Sequence, residues 1–388
     1  MSVAISDSVR RSAVPHHAQP TLGRGTSVVL YTSSDCWRGA GNSYVGIARG
    51  LEAHGFRPHA VSLSEEVTEE FRHAGVPVTQ LPARGRGESW RLRRYLGERG
   101  AHVLIVDRAH DLRVGTLAVL GTGCTLVHRY SHFGASPPTD ALTRVAYARA
   151  LRGLVFLSWS ERTRVLRDMP FMRRVRPTTI YEGSDASFFR PSFRASIEFR
   201  RAHGLGAEPF LLAVGALSAE KRYELLFDAL RLLQDAAPPL VVCGEGPDEL
   251  KLRSRADELG LRVRFLGRVP QSELIGAYNA STLMVHAGGV ETFGLAVLEA
   301  MSCARPVVVS AGGALPEVVG TDGDCGRLFA PNSAWDMSNA IRRLLYDPDE
   351  RARLGNRARE RARTKFSLEA MEANYARFVA RLTPRLSE

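Results

Sequence analysis

The first regular pattern along the chain is an apolar run at residues 27–34, SVVLYTSS, which ends in small polar residues. A loop carrying Gly39 and Gly41 follows, and then Tyr44, Ile47, Ala48 and Leu51 recur at helical spacing before Gly55. This order predicts a strand, a glycine-bearing loop and a helix over 43–54. Further apolar runs predict strands at 58–63, 76–81, 102–107, 124–128 and 153–157. Helical spacing fills 65–74, 88–99, 112–120 and 139–150 between them. Strands that are apolar throughout and alternate with helices predict a parallel, doubly wound sheet.

The stretch 181–196, YEGSDASFFRPSFRAS, breaks this rhythm with Ser, Pro and Gly, and the domain boundary is placed there. A second series then predicts strands at 210–216, 239–246, 263–267, 282–288 and 306–313. Its helices are expected at 222–234, 248–259, 271–280 and 294–303, and the region 334–380 reads as two or three more. A chain of 388 residues is too long for one core. The expected organisation is a loose tail over 1–25, a first Rossmann-like domain over 26–188 and a second over 189–365. A terminal helix in 366–388 is expected to cross back onto the first domain. The fold class is α/β, with two parallel sheets facing across a cleft, because open sheets of this kind bind ligands at the carboxyl ends of their strands.

Composition narrows the function classes. No stretch reaches the ~18 uninterrupted apolar residues of a membrane span, and the first 25 residues lack the apolar segment of a secretory signal. The five cysteines, Cys36, Cys124, Cys243, Cys303 and Cys325, form no C-x-x-C pair. Neither a disulfide framework nor a structural zinc is expected, and a reduced, cytoplasmic location fits. The net charge of +11 is uneven, since residues 1–190 carry 26 Arg and no Lys against 16 acidic residues. That half suits an anionic acceptor or an anionic membrane surface at its inner face; a solvated, arginine-rich surface is the plainer account. Nucleic acid is not an expected partner, because no recognition motif for it occurs. Arginines cluster at 84–99 and 162–176, and the second cluster interleaves Met169, Phe171 and Met172, a mixture able to lie on an anionic bilayer.

The second half holds the candidate chemistry. Gly215, Lys221 and Arg222 follow one strand end, Gly244 to Pro247 the next, and Gly312-Gly313 the last. Such glycines let backbone approach a ligand, and helix N-termini beside them suit phosphate. Glu291 and Glu299 stand eight apart, one in the loop before a helix and one on its second turn. Carboxylates at those two depths can accept sugar hydroxyls. Asp322-Gly-Asp324 reads as a turn and not as a metal site.

The segment VETFGLAVLEAMSCARPVVVSAGGALPEVVG at 290–320 resembles the E-x7-E signature of the retaining family-4 glycosyltransferases with the GT-B fold. AVGALSAEKRYELLFDAL, VVCGEGPDEL and RFLGRVPQSELIGAYNAS precede it in the family's order. In the first half, TIYEGSDASFFRP resembles the family's linker and RGAGNSYVGIARGLEAHGF its glycine loop and first helix. The resemblance covers residues 27–380 and is strongest in the second half.

It implies a retaining, metal-independent transfer of a sugar from a nucleoside-diphosphate donor, with no cofactor. A UDP-sugar is the default donor and GDP-mannose the next. The acceptor would be a small polar molecule, a natural product or a lipid-linked sugar. Lys221 would bind the diphosphate, Glu291 the donor sugar and Glu299 the ribose hydroxyls. The backbone of Phe293, Gly294 and Leu295 would approach the sugar or phosphate, and Gly215 and Gly246 would line the site. Gly267, Arg268 and Val269 would frame the base, while Gly39 and Gly41 would border the donor from the first domain. A first-domain histidine near the sugar is common in the family, and TLVHRYSHF offers His128 and His132, with His132 favoured.

Four positions depart from the family pattern. Ala216 stands where an arginine usually completes the diphosphate clamp, leaving Arg222 as its substitute. His286-Ala287-Gly288 replaces a Pro-Ser, Glu182 replaces the linker Asn, and Ala304 replaces a Gly. Two alternatives stay open: a sugar-nucleotide 2-epimerase on the same fold, or a non-catalytic nucleotide-sugar-binding module, the latter kept alive by Ala216.

Overall fold

The computed structural model describes residues 22–23, 25–37, 39–131 and 140–383. The first domain alternates β1 (Ser27–Thr32), α1 (Gly39–Ala53), β2 (Arg57–Ser62), α2 (Glu65–His73), β3 (Val78–Gln80) and α3 (Glu88–Glu98). It continues with β4 (Val103–Val106), α4 (Ala109–Val119), β5 (Thr125–Tyr130), α5 (Ala141–Val145), β6 (Leu151–Phe156), α6 (Trp159–Asp168) and β7 (Thr178–Thr179). The seven strands are parallel in the order β3-β2-β1-β4-β5-β6-β7. Both sheet faces are covered, which is why β1 and β4 are apolar and fully buried along their length.

The second domain runs α7 (Phe193–Ala202), β8 (Leu211–Val214), α8 (Tyr223–Leu233), β9 (Leu240–Cys243), α9 (Glu249–Glu258), β10 (Val263–Phe265) and α10 (Gln271–Ala280). It continues with β11 (Leu283–His286), α11 (Leu295–Ser302), β12 (Val307–Ser310), α12 (Leu315–Val319), β13 (Arg327–Phe329), α13 (Ala334–Tyr346) and α14 (Pro348–Lys365). Its parallel sheet has the order β10-β9-β8-β11-β12-β13. In both sheets the strand order reverses once, between β1 and β4 and between β8 and β11. Loops diverge at that point and leave a crevice at the strand ends.

Each predicted strand is present, one or more residues shorter at most ends. Residues 139–150 do not make one α-helix, because α5 passes into a π-helical turn, Ala146–Ala150, directly before β6. Helix α7 lies partly within the segment read as irregular: the Ser192 hydroxyl caps its start by accepting the Ala195 N–H, and its body packs on α10. Helices α6 and α12 and the edge strands β7 and β13 were not anticipated; they are short, and edge strands carry little apolar pattern. The apolar members of the second arginine cluster face inward. Met169 and Met172 are buried, and Phe171 meets Tyr147 edge to face. They have nothing to insert into a bilayer.

The chain passes between the domains twice at one place. Ser184 donates its N–H to the Phe366 carbonyl at 2.9 Å and accepts the Leu368 N–H at 3.1 Å. Helix α15 (Leu368–Leu382) then lies against α1. A Cβ at Gly50 would sit 2.4 Å from that of Glu372, so the helices approach closely only because the position is glycine. Met371, Tyr375 and Val379 complete the core beneath α1.

Candidate active site

The ends of β8, β9, β11 and β12 assemble three side chains from two distant segments. Lys221 closes a short 3-10 turn after β8, and Glu291 lies in the loop after β11. Lys221 Nζ donates to Glu291 Oε2 at 2.6 Å, and His286 Nε2 lies 3.0 Å from the same oxygen. Burial acts to raise the Glu291 carboxyl, but the Lys221 charge and the His286 hydrogen bond outweigh it and hold the group at about 2. Glu291 is therefore a permanent anion set against a cation, able to accept hydroxyls while the ammonium faces a second anion.

The backbone of this loop is held by the next one. Ala314 donates its N–H to the Glu291 carbonyl at 2.8 Å. Gly313 has φ +58°, and a Cβ there would lie 2.4 Å from the Glu291 nitrogen, so no side chain fits. Gly215 and Gly246 follow β8 and β9 on the same rim. A Cβ at Gly246 would come within 2.3 Å of the Leu217 carbonyl. Arg222 precedes α8, and its guanidinium lies against Gly289: a Cβ there would be 2.6 Å from Cζ.

Glu299 behaves oppositely to Glu291. It sits on α11, which starts after Gly294 at φ +97°, and it accepts the Tyr278 hydroxyl at 2.7 Å. Burial raises its carboxyl from 4.5 to about 7, and the Tyr278 hydrogen bond offsets only part of that. A raised folded value means stability that is complete below about 4.5 and lost as pH rises through about 7. Urea unfolding of the ligand-free protein at about pH 5 and about pH 8 tests this against Glu299→Gln. The variant should lose less stability between the two than the wild type; equal losses would refute the assignment.

The first domain meets this site at Gly39, where a Cβ would lie 3.4 Å from Leu295 Cδ1 across the cleft. Gly41 instead makes room for the Trp37 ring, 2.8 Å from where its Cβ would be. Arg268, next to Gly267 after β10, pairs with Glu66 at 2.8 Å and Glu70 at 3.3 Å on α2, so it bridges the domains. Val269 packs against the core, and the Phe293 side chain is buried beside Tyr181 and Phe366, which leaves its backbone for a ligand. His128 needs correcting. It is 1% exposed within β5, with Nδ1 2.7 Å from the Tyr147 hydroxyl and Nε2 3.0 Å from the Asp107 carbonyl. Packing and two hydrogen bonds make it a core residue. His132 lies outside the described residues.

Three groups had gone unremarked as site residues. His286 was visible only as a departure from Pro-Ser, although a histidine five residues before the glutamate was a usable signal. Arg129 is 1% exposed and donates to Asp107 at 3.0 Å and to Glu182, which also accepts the Ser43 hydroxyl at 2.7 Å. Glu317 on α12 accepts the Trp159 and Ser160 N–H groups at the start of α6, at 2.9 and 3.1 Å, and the Tyr181 hydroxyl at 2.5 Å. Both join segments more than 50 residues apart, which no local pattern reveals.

Two parallel-sheet domains facing across a cleft, with these residues on the second domain's rim, define the GT-B architecture. Residues 196–361 match the family model described as glycosyl transferases group 1. It is 34% identical over 182 residues to sulfoquinovosyl transferase SQD2 of Arabidopsis thaliana, covering 46% of this chain and 35% of that protein. It is 33% identical over 201 residues to D-inositol 3-phosphate glycosyltransferase of Corynebacterium glutamicum, covering 49% and 48%. The matches thus span less than half the length of these relatives. Among solved structures, Anabaena Alr3699/HepE in complex with UDP and glucose superposes with a TM-score of 0.81 at 20% identity, covering 91% of this chain and 99% of that one.

Proposed function

We propose that the protein is a retaining glycosyltransferase that takes its sugar from a nucleoside-diphosphate donor, a UDP-sugar by preference. The observation that carries this is the Lys221–Glu291–His286 arrangement on a rim of glycines at four strand ends. Lys221 seats the diphosphate and offsets the charge that grows on it as the sugar–phosphate bond breaks. Arg222, beside Gly289, supplies the second cation that Ala216 does not. Glu291 accepts donor-sugar hydroxyls, Glu299 accepts the ribose hydroxyls, and the backbone at Phe293–Leu295 lies against the sugar or phosphate.

The acceptor enters from the first domain beside Gly39. Its oxygen bonds to the anomeric carbon on the face the diphosphate leaves, and its proton passes to a diphosphate oxygen. The acceptor class proposed is a polyol or lipid-linked sugar carrying an anionic group. The relatives' names support this range: one transfers sulfoquinovose, and others act on inositol phosphate or on a phosphatidylinositol dimannoside with GDP-mannose.

Thermal unfolding with UDP, GDP, ADP or dTDP, each with and without EDTA, tests the donor half. A nucleotide at a hundred times its dissociation constant adds ~2.7 kcal/mol of stability. One nucleotide that stabilises regardless of EDTA names the donor class. No stabilisation by any of the four would reject the nucleotide site.

A further inference from the structure

The uneven charge of the first half resolves into two unlike faces of one sheet. One face is covered by α1, α2 and α15, where Arg49, Arg72, Arg377 and Arg381 meet seven glutamates, four of them on α2. The other is covered by α3, α4, the helical stretch 141–150, α6 and the 3-10 helix Pro170–Val175. On this second face Arg93, Arg94, Arg99, Arg108, Arg144, Arg149, Arg152, Arg167, Arg173, Arg174 and Arg176 are exposed. Their exposed acidic neighbours are Glu98, Asp140 and Asp168, and its other acids, Glu88, Asp111 and Glu161, are buried.

A second observation falls on the same face. Among the described residues of the first domain ahead of the linker segment 181–196, five large apolar side chains are more than a third exposed: Trp90, Leu117, Leu120, Val145 and Trp159. All five belong to this basic layer, and the α1, α2 and α15 layer has none. Trp90 stands 63% exposed on α3, three residues before Arg93, whose guanidinium reaches the Leu120 carbonyl at the end of α4. Trp159 is 54% exposed at the start of α6, with the Arg162 guanidinium 4.5 Å above its ring.

We infer that this face docks on an anionic lipid bilayer. Arginines alone would suit any polyanion, but scattered indole and aliphatic groups among them suit a surface with phosphate outside and hydrocarbon beneath. No helix among the described residues is long and apolar enough to cross a membrane, so attachment here would be from one side. Helices α3, α4 and α6 begin at the carboxyl ends of the strands, so Trp90 and Trp159 lie at the cleft end of the layer. Docking would bring the cleft mouth to the headgroups, where a lipid-linked acceptor would be found.

Co-sedimentation with vesicles of equal parts phosphatidylglycerol and phosphatidylcholine, against pure phosphatidylcholine, tests this without any turnover. The wild type should partition onto the anionic vesicles with a blue-shifted tryptophan emission. The triple variant Arg93→Glu, Arg94→Glu, Arg174→Glu should bind at least tenfold more weakly, and Trp90→Ala should weaken binding and diminish the shift. Arg377→Glu with Arg381→Glu, on the opposite face, should leave partition within twofold, and unchanged thermal unfolding shows that the variants are folded. No partition of the wild type, equal loss from either face, or tight binding to duplex DNA that anionic vesicles fail to compete would each overturn the inference.

Discussion

Lys221→Ala is expected to lower turnover well over tenfold, ~1.4 kcal/mol or more of barrier, and to weaken nucleotide binding with it. The ammonium is the cation nearest Glu291, and the same charge is proposed to meet the leaving diphosphate. Without it, burial works on the Glu291 carboxyl with only His286 opposing, so the group moves up from about 2. In the wild type, stability from this ionised carboxylate is complete above about 4.5 and is lost as pH falls through about 2. In the variant that acid loss is smaller and ends at higher pH. Rates, nucleotide affinity and an acid unfolding curve measured together separate the two effects. Wild-type turnover in Lys221→Ala, and likewise in Glu291→Ala, would remove both residues from the mechanism.

The largest stability effect is expected at Arg129. Burial opposes its charge, but Glu182 and Asp107 more than offset that opposition. Arg129→Met would leave these carboxylates, 3% exposed each, side by side without their cation. Breaking such a buried arrangement costs about 3–5 kcal/mol. Adding Glu182→Gln should restore part of the loss, since it removes one of the two like charges. Urea unfolding of the single and double variants reads both points. A loss under about 1 kcal/mol, or no recovery on adding Glu182→Gln, would mean that the triad contributes only packing.

Glu182 also shows how far a resemblance carries. The family's linker places an asparagine there, and Glu182 departs from that pattern. In the folded chain the longer acid reaches Arg129 of β5 and Ser43 of α1, tying the linker to the first sheet. Arg268 makes a similar point from the other direction. The resemblance implies a base-framing residue there, and the fold adds an ion pair with α2 of the facing domain. The second-domain candidate residues lie in short segments where glycine, lysine and glutamate occur in a fixed order at strand ends, so their place on one rim is a local matter.

The alternation of apolar strands and helices by itself determined the two parallel sheets and the strand ends beside which Gly215, Lys221, Glu291 and Glu299 lie. That information is local: burial on both faces makes a strand continuously apolar, and a strand end beside a helix start needs small residues. Only the tertiary structure decided which side chains meet. It brought Lys221 to Glu291 across 70 residues and sent His128 into the core. It also placed eleven exposed arginines of the first domain on one face with Trp90 and Trp159. Pairings of that kind depend on the order and twist of strands, and side-chain charge in the sequence carries sign but no direction in space.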